Sequence, residues 1–276
     1  MKKNVSLVIL IGLLLSCAPK KEVSEAPTDI YPYDLKIAVD KGTMTLSWKT
    51  HGDGLKSGYN IYISREPLVE KYPGRNLPSS VRPFNPVNYP GDTNPDDSVT
   101  YFTAEYLEDG VKYYVSVRVN YTDRTLSRPS NEVVAVCGAR SEFNLAFRYR
   151  SENDGYSFFK DEPVRADAVD NDIYFYAKDG VDYLASPSRL DGFLRKNRFR
   201  VLSLKGVFDF VKDKVNGSNV TPDEDRVEIK KGDWVLVETV ENTHALLQVL
   251  DFIGDGEERE VKLFLAFSPL KDEILF

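Results

Sequence analysis

KYYVSVRVN, residues 112–120, sets Tyr113, Val115, Val117 and Val119 on one side and Tyr114, Ser116, Arg118 and Asn120 on the other. Successive side chains of a strand point to opposite faces, so this alternation predicts a strand with one buried and one solvated face. The same period recurs upstream. KGTMTLSWK (41–49) groups Met44, Leu46 and Trp48, and GYNIYIS (58–64) groups Tyr59, Ile61 and Ile63. Such runs, bounded by Gly, Asp and Pro, read as half-buried strands of an antiparallel sandwich. The abundance of Tyr (16) and Phe (15) against two Met and two His also favours strands over a helical bundle.

Several pieces of residues 28–138 point the same way. Trp48 lies on the second strand, Tyr59-Asn60-Ile61-Tyr62 joins an aromatic to aliphatic alternation, Leu107 precedes Tyr113 by six positions, and Ser127 to Val133 leads into a further strand. As a set these residues resemble a fibronectin type III domain. The resemblance implies a core position for Trp48 and a tyrosine corner at Tyr113, whose phenol bonds backbone across the arch. The sequence departs from that family at residues 66–97, where seven Pro with Gly, Asn and Asp make an insertion too long for an ordinary connection. Tyr72, Phe84 and Tyr89 are spaced through it. They either form a binding surface for a sugar or protein, or pin the insertion to the sandwich; the second is the simpler reading. No RGD tripeptide is present.

Residues 140–276 read as a second mostly-β domain, a sandwich or partly open barrel of no recognised family. Alternating or apolar runs occur at 143–150, 173–176, 199–204, 226–229, 234–240, 245–252 and 261–267. KGDWVLVETVENTHALLQVLDF predicts a hairpin turning at Glu241-Asn242-Thr243, and DFIGDGE a Gly-rich turn into the last long strand. Ser188 to Lys196 is the one predicted short helix.

The N-terminus differs in kind. Lys2 and Lys3 precede an apolar run from Val5 to Leu15, too short for the roughly 20 residues that span a bilayer but suited to a secretory h-region. It ends Leu14-Leu15-Ser16-Cys17, which resembles the lipobox of bacterial lipoproteins. The resemblance implies removal of residues 1–16 and diacylation of the Cys17 thiol. More than one acyl chain is what stable membrane anchoring takes. Residues 17–27, rich in Pro, Lys, Glu and Ser, read as a flexible tether. Ala18 is not the Asp that retains lipoproteins in the inner membrane of enteric bacteria, which leans towards an outer membrane.

Loss of Lys2 and Lys3 takes the formal charge from −7 to −9. An acidic chain lacks the basic footprint of nucleic-acid binding. With Cys17 acylated, Cys137 has no disulfide partner, and its place after Val133-Val134-Ala135-Val136 predicts a buried small hydrophobe rather than a reactive thiol.

The chain shows no catalytic motif. His51 and His244 read as ordinary turn residues, and neither HExxH nor CxxC occurs. Asp167, Asp170 and Asp172 form one acidic cluster and Asp251, Asp255 and Glu257 another, without the spacing of an EF-hand loop, so no metal or cofactor is expected. Arg189, Arg195, Lys196, Arg198 and Arg200 form the one basic run, read as a solvated face rather than a dock for acidic glycan or lipid. The functional expectation is a lipid-anchored cell-envelope interaction protein, not an enzyme, that binds an envelope protein or glycan. The alternative is an extracytoplasmic glycan-active hydrolase or carbohydrate-binding accessory protein, whose paired carboxylates only a structure would reveal.

Overall fold

The structure of the chain, a computed structural model, describes residues 30–51, 56–92, 98–149 and 151–276. The leader, Cys17 and the tether lie outside those residues. Alternation in the first half produces two three-stranded antiparallel sheets. In one, β1 (Tyr31–Asp40) pairs with β2 (Thr43–His51), which pairs with β4 (Val99–Ala104). In the other, β3 (Lys56–Ser64) pairs with β5 (Lys112–Tyr121), which pairs with β6 (Val133–Val136). Met44, Leu46 and Trp48 of β2 meet Tyr59 and Ile61 of β3 and Val115, Val117 and Val119 of β5 in one buried cluster. The Trp48 and Tyr59 rings pack edge to face at 5.1 Å, an arrangement that aligns ring edge with π-face. The Tyr113 phenol accepts the Glu108 backbone N–H at 3.1 Å, tying strand to arch.

The second face of β5 departs from the simple alternation. Ser116 and Arg118, assigned to solvent by their period, are each only 2% exposed. The Pro-rich segment covers Arg118. Prolines lack the N–H that would build a strand ladder, so the segment's carbonyls need donors from elsewhere. Arg118 supplies them, donating Nη2 to Tyr72 O at 2.7 Å and Nη1 to Gly74 O and Ser127 O.

Asn85 does the same work at the edge of β3. Its Oδ1 accepts Ile61 N–H at 2.7 Å, and its Nδ2 donates to Tyr59 O and Val87 O. Tyr59 and Tyr89 exchange backbone bonds in both directions, which caps an otherwise open strand edge. Gly58 permits this approach, because at φ +150° a Cβ there would fall 2.4 Å from Tyr89 O. The Tyr89 ring packs on Trp48 and Phe102, and Phe84 packs on Phe102. Phe84 and Tyr89 therefore act as anchors of the insertion.

The second half has two five-stranded antiparallel sheets, neither closed into a barrel. β7 (Arg140–Ala146), β12 (Arg198–Leu202), β14 (Trp234–Glu238), β15 (His244–Ile253) and β16 (Glu260–Ser268) run in the order β12-β14-β15-β16-β7. β8 (Gly155–Ser157), β9 (Glu162–Val164), β10 (Ile173–Lys178), β11 (Val181–Ala185) and β13 (Arg226–Glu228) run in the order β13-β11-β10-β8-β9. Val235, Val237, Leu247, Leu263 and Leu265 of the first sheet pack with Phe175 and Leu184 of the second. Trp234, Leu236, Leu246 and Ala266 face the other way and are covered by Val211 and Val215 of α1 (Phe208–Val215). Burial on both faces explains why Trp234-Val235-Leu236-Val237 is uniformly apolar instead of alternating. The predicted β14–β15 hairpin forms, turning through Asn242 at φ 60°.

The predicted helix over Ser188–Lys196 does not form. Only one 3-10 turn, Pro187–Arg189, occurs there. Gly192 at φ 86° leaves helical space, and Ser186 accepts the backbone N–H of Asn197 instead of continuing a helix. The α-helix lies further on, at α1.

The two halves meet backbone to backbone. Phe267 N–H donates to Ala139 O at 2.9 Å, and a Cβ at Gly138 would lie 2.2 Å from Phe267 O. Lys112 is paired with Glu273, and Lys41 Nζ donates to Lys160 O at 3.2 Å.

Candidate functional site

Beside that meeting line runs a cleft with two adjoining lobes. The larger, about 320 Å³, is lined by Asp170, Asp172, Arg195, Thr239, Glu241 and Lys271 among others. The smaller, about 280 Å³, has Lys41, Asp109 and Glu162 in its walls. Phe159, Lys160, Phe267 and Pro269 belong to both lobes.

The tip of the β8–β9 hairpin makes the lip. Asp161 takes a left-handed φ of 60° and its N–H donates to Ser157 O. Its carboxylate accepts the hydroxyls of Ser141 and Tyr156 at 2.5 and 2.8 Å. This turn sends Phe158 into the core and leaves Phe159 69% exposed. Lys160 is held by Asp170 at 2.7 Å and more loosely by Glu162 at 3.6 Å.

The floor is a buried ionic network. Asp172 accepts Phe158 N–H at 2.7 Å, the Arg195 guanidinium at 2.5 and 3.2 Å, and Asn197 Nδ2 at 3.2 Å. Arg195 also spans to Glu241 through both terminal nitrogens. Asn197 extends the network to the β14–β15 turn, its Oδ1 accepting Val240 N–H at 2.9 Å. The Lys160 ammonium holds the Asp170 carboxyl below its usual range. Burial pushes the Glu241 carboxyl upward, but its bonds to Arg195 prevail and leave it lowered. Burial dominates at Asp172 and raises it against the pull of Arg195.

Two residues from the acidic cluster and one from the basic run therefore meet here. Asp167 does not join them, since it forms a fork with Arg165 at 2.7 and 2.8 Å. Asp251 pairs with Lys231. Among the described residues no group of three or more His, Cys, Asp or Glu side chains is placed to hold a metal ion. The basic run is dispersed by its partners: Arg189 pairs with Asp225 and Arg200 with Asp223, while Lys196 and Arg198 are exposed. Phe159, Thr239 and Glu241 carry no sequence signal of a site, because only the fold sets hairpin tip against hairpin turn.

The remaining candidates are structural. Cys137 is wholly buried, its Sγ facing Thr43 O at 3.4 Å, and burial pushes the thiol up to about 12. His51 ends β2 with its ring 5.4 Å from that of Tyr31. His244 opens β15, 6% exposed. Burial lowers its imidazole below the ordinary range, against an opposite pull from Glu238 and Asp272. The unfolded chain therefore takes up a proton near pH 6.5 that the folded chain resists. This contribution to stability is complete above that pH and is lost as pH falls towards the folded value, at up to about 1.4 kcal/mol per pH unit. Urea unfolding at pH 7.5 and 5.5 is expected to show a larger loss in the native chain than in His244→Gln. Parallel losses in the two would refute the assignment.

Family models and curated proteins yield no match to this chain. Among solved structures it is similar to the twitchin kinase region from C. elegans, at 14% identity and a TM-score of 0.28, over 87% of this chain and 39% of that one. The chain thus spans well under half of that structure, and a likeness so slight bears on neither fold nor activity. No helix among the described residues is long and apolar enough to cross a membrane.

Proposed function

We propose that this chain is a lipid-anchored, non-catalytic interaction protein of the bacterial cell envelope, attached through Cys17 and presenting its cleft to a ligand. The anchoring part rests on the Lys2-Lys3 leader and its Leu14-Leu15-Ser16-Cys17 ending. The first half is read as a fibronectin type III-like module. Its supports are the β1-β2-β4 and β3-β5-β6 sheets and the Tyr113 bond to the Glu108 backbone.

The observation that carries the non-catalytic reading is the pairing of every carboxylate in the larger lobe. Glycoside hydrolysis needs one protonated carboxyl open to substrate beside an ionised one. Lys160 and Arg195 keep Asp170 and Glu241 ionised. Asp172, whose carboxyl is raised, is 2% exposed and has both oxygens occupied by Phe158, Arg195 and Asn197.

Metabolic labelling with an alkynyl fatty acid tests the anchor. The native chain is expected to label and to partition with membranes. Cys17→Ser is expected to lose the label and either leave the membrane or accumulate as an uncleaved precursor. Persistent labelling of Cys17→Ser would refute attachment at this residue.

A further inference from the structure

We infer that the cleft between the two halves binds an uncharged oligosaccharide, an assignment that rests on the reading of the protein as a non-catalytic envelope binder. Its first support is the lip. Phe159 is 69% exposed on a turn whose neighbours are fixed, Asp161 by two hydroxyls and Lys160 by Asp170. A large apolar ring held out in water on a rigid hairpin is a preorganised platform, since ligand binding there orders little that is not already ordered. The C–H face of a pyranose ring presents the flat apolar surface such a platform accepts.

The second support is charge. Four cationic and five acidic side chains line the two lobes, and the strongest of them neutralise one another through the Lys160–Asp170 and Arg195–Glu241 pairs. Such a lining offers little net attraction to a highly charged ligand. It presents acceptors and donors of both kinds, among them the exposed Lys271 ammonium and the spare lone pairs of Glu241. Sugar hydroxyls both donate and accept, and so match a mixed lining.

The third support concerns what the cleft refuses. An extended peptide would add to a free strand edge. The edge strand bordering the smaller lobe is β9, three residues long with Pro163 at its centre, and a proline on an edge removes the donor that strand addition uses. The lobes together fall in the size range of small-molecule sites.

Saturation-transfer NMR and calorimetry on the full lipidated chain, in a zwitterionic detergent, test the assignment with cellotriose, maltotriose and triacetylchitotriose as probes. At least one is expected to bind saturably, with affinity reduced about tenfold or more in Phe159→Ala. Tyr106→Ala, at a side chain 97% exposed elsewhere, is expected to bind like the native chain. Absence of saturation with all three sugars overturns the inference, as does equal affinity in Phe159→Ala. Binding of hexaglutamate in place of the sugars also overturns it and makes the cleft a peptide site. Appearance of shortened sugars would uphold the ligand class and remove the non-catalytic reading. Failure of sugar binding with fatty-acid labelling intact would leave the anchor standing.

Discussion

Asp172→Ala is expected to lose about 3–5 kcal/mol of stability, the usual cost of removing one partner from a buried ion pair. The carboxylate is 2% exposed and satisfies a backbone N–H, a guanidinium and an amide at once. Its loss leaves Phe158 N–H without an acceptor, costs Asn197 Nδ2 the longer of its two bonds to residue 172, and strands an Arg195 side chain that is only 19% exposed. Part of that charge remains compensated by Glu241, which places the expected value towards the lower end of the range. Asp172→Asn separates charge from volume. It fills the same space but turns an NH₂ towards donors, so it is expected to cost nearly as much as Ala. Glu241→Gln, at the more exposed end of the network, is expected to cost under about 1 kcal/mol. Urea unfolding of the three variants measures this order. If Asp172→Asn matched the native chain, the carboxylate charge would be irrelevant and the network would be packing alone.

The position of this network shows what the sequence makes legible and what it withholds. Strands facing one core announce themselves by period two, as β2 does along its length and β16 over its first six residues. Short strands do not. β8 and β9 have three residues each, below the length at which any period is visible. α1 is equally quiet, for only Val211 and Val215 are buried and no side chain caps its N-terminus. Asp170 and Asp172 attract notice as acids close in sequence, yet their partners Lys160, Arg195 and Glu241 come from three other segments. Only sheet order brings those together. The Arg118 contact fails for the opposite reason: the alternation around it is clear, and a segment of the chain itself covers the face it assigns to water.

That cover makes a second large effect. Arg118→Ala is expected to cost about 3–5 kcal/mol, because charge-assisted hydrogen bonds contribute roughly 1.5–3 kcal/mol each and two carbonyls of the insertion lose their donor together. Burial lowers the Arg118 pKa, a sign that its desolvation is tolerated only because the Tyr72, Gly74 and Ser127 carbonyls surround it. Arg118→Lys keeps a charge but replaces a planar fork by a point donor, so a smaller but clear loss is expected. Release of the insertion is read directly by trypsin, with cleavage at Lys71 and Arg75 expected to precede any other within residues 30–276 in Arg118→Ala and not in the native chain. Asn85→Ala frees the other end of the segment and is expected to bring on chymotryptic cleavage after Phe84, since trypsin does not cut the Arg82–Pro83 bond. Deleting residues 66–97 supplies the control. Without the insertion Arg118 regains water, so Arg118→Ala in that background is expected to cost less than about 1 kcal/mol, and the difference is the coupling between the arginine and its cover. An equal cost in both backgrounds would mean that Arg118 stabilises the sheet alone, and the insertion would then be held by Asn85, Tyr89 and Phe84 without it.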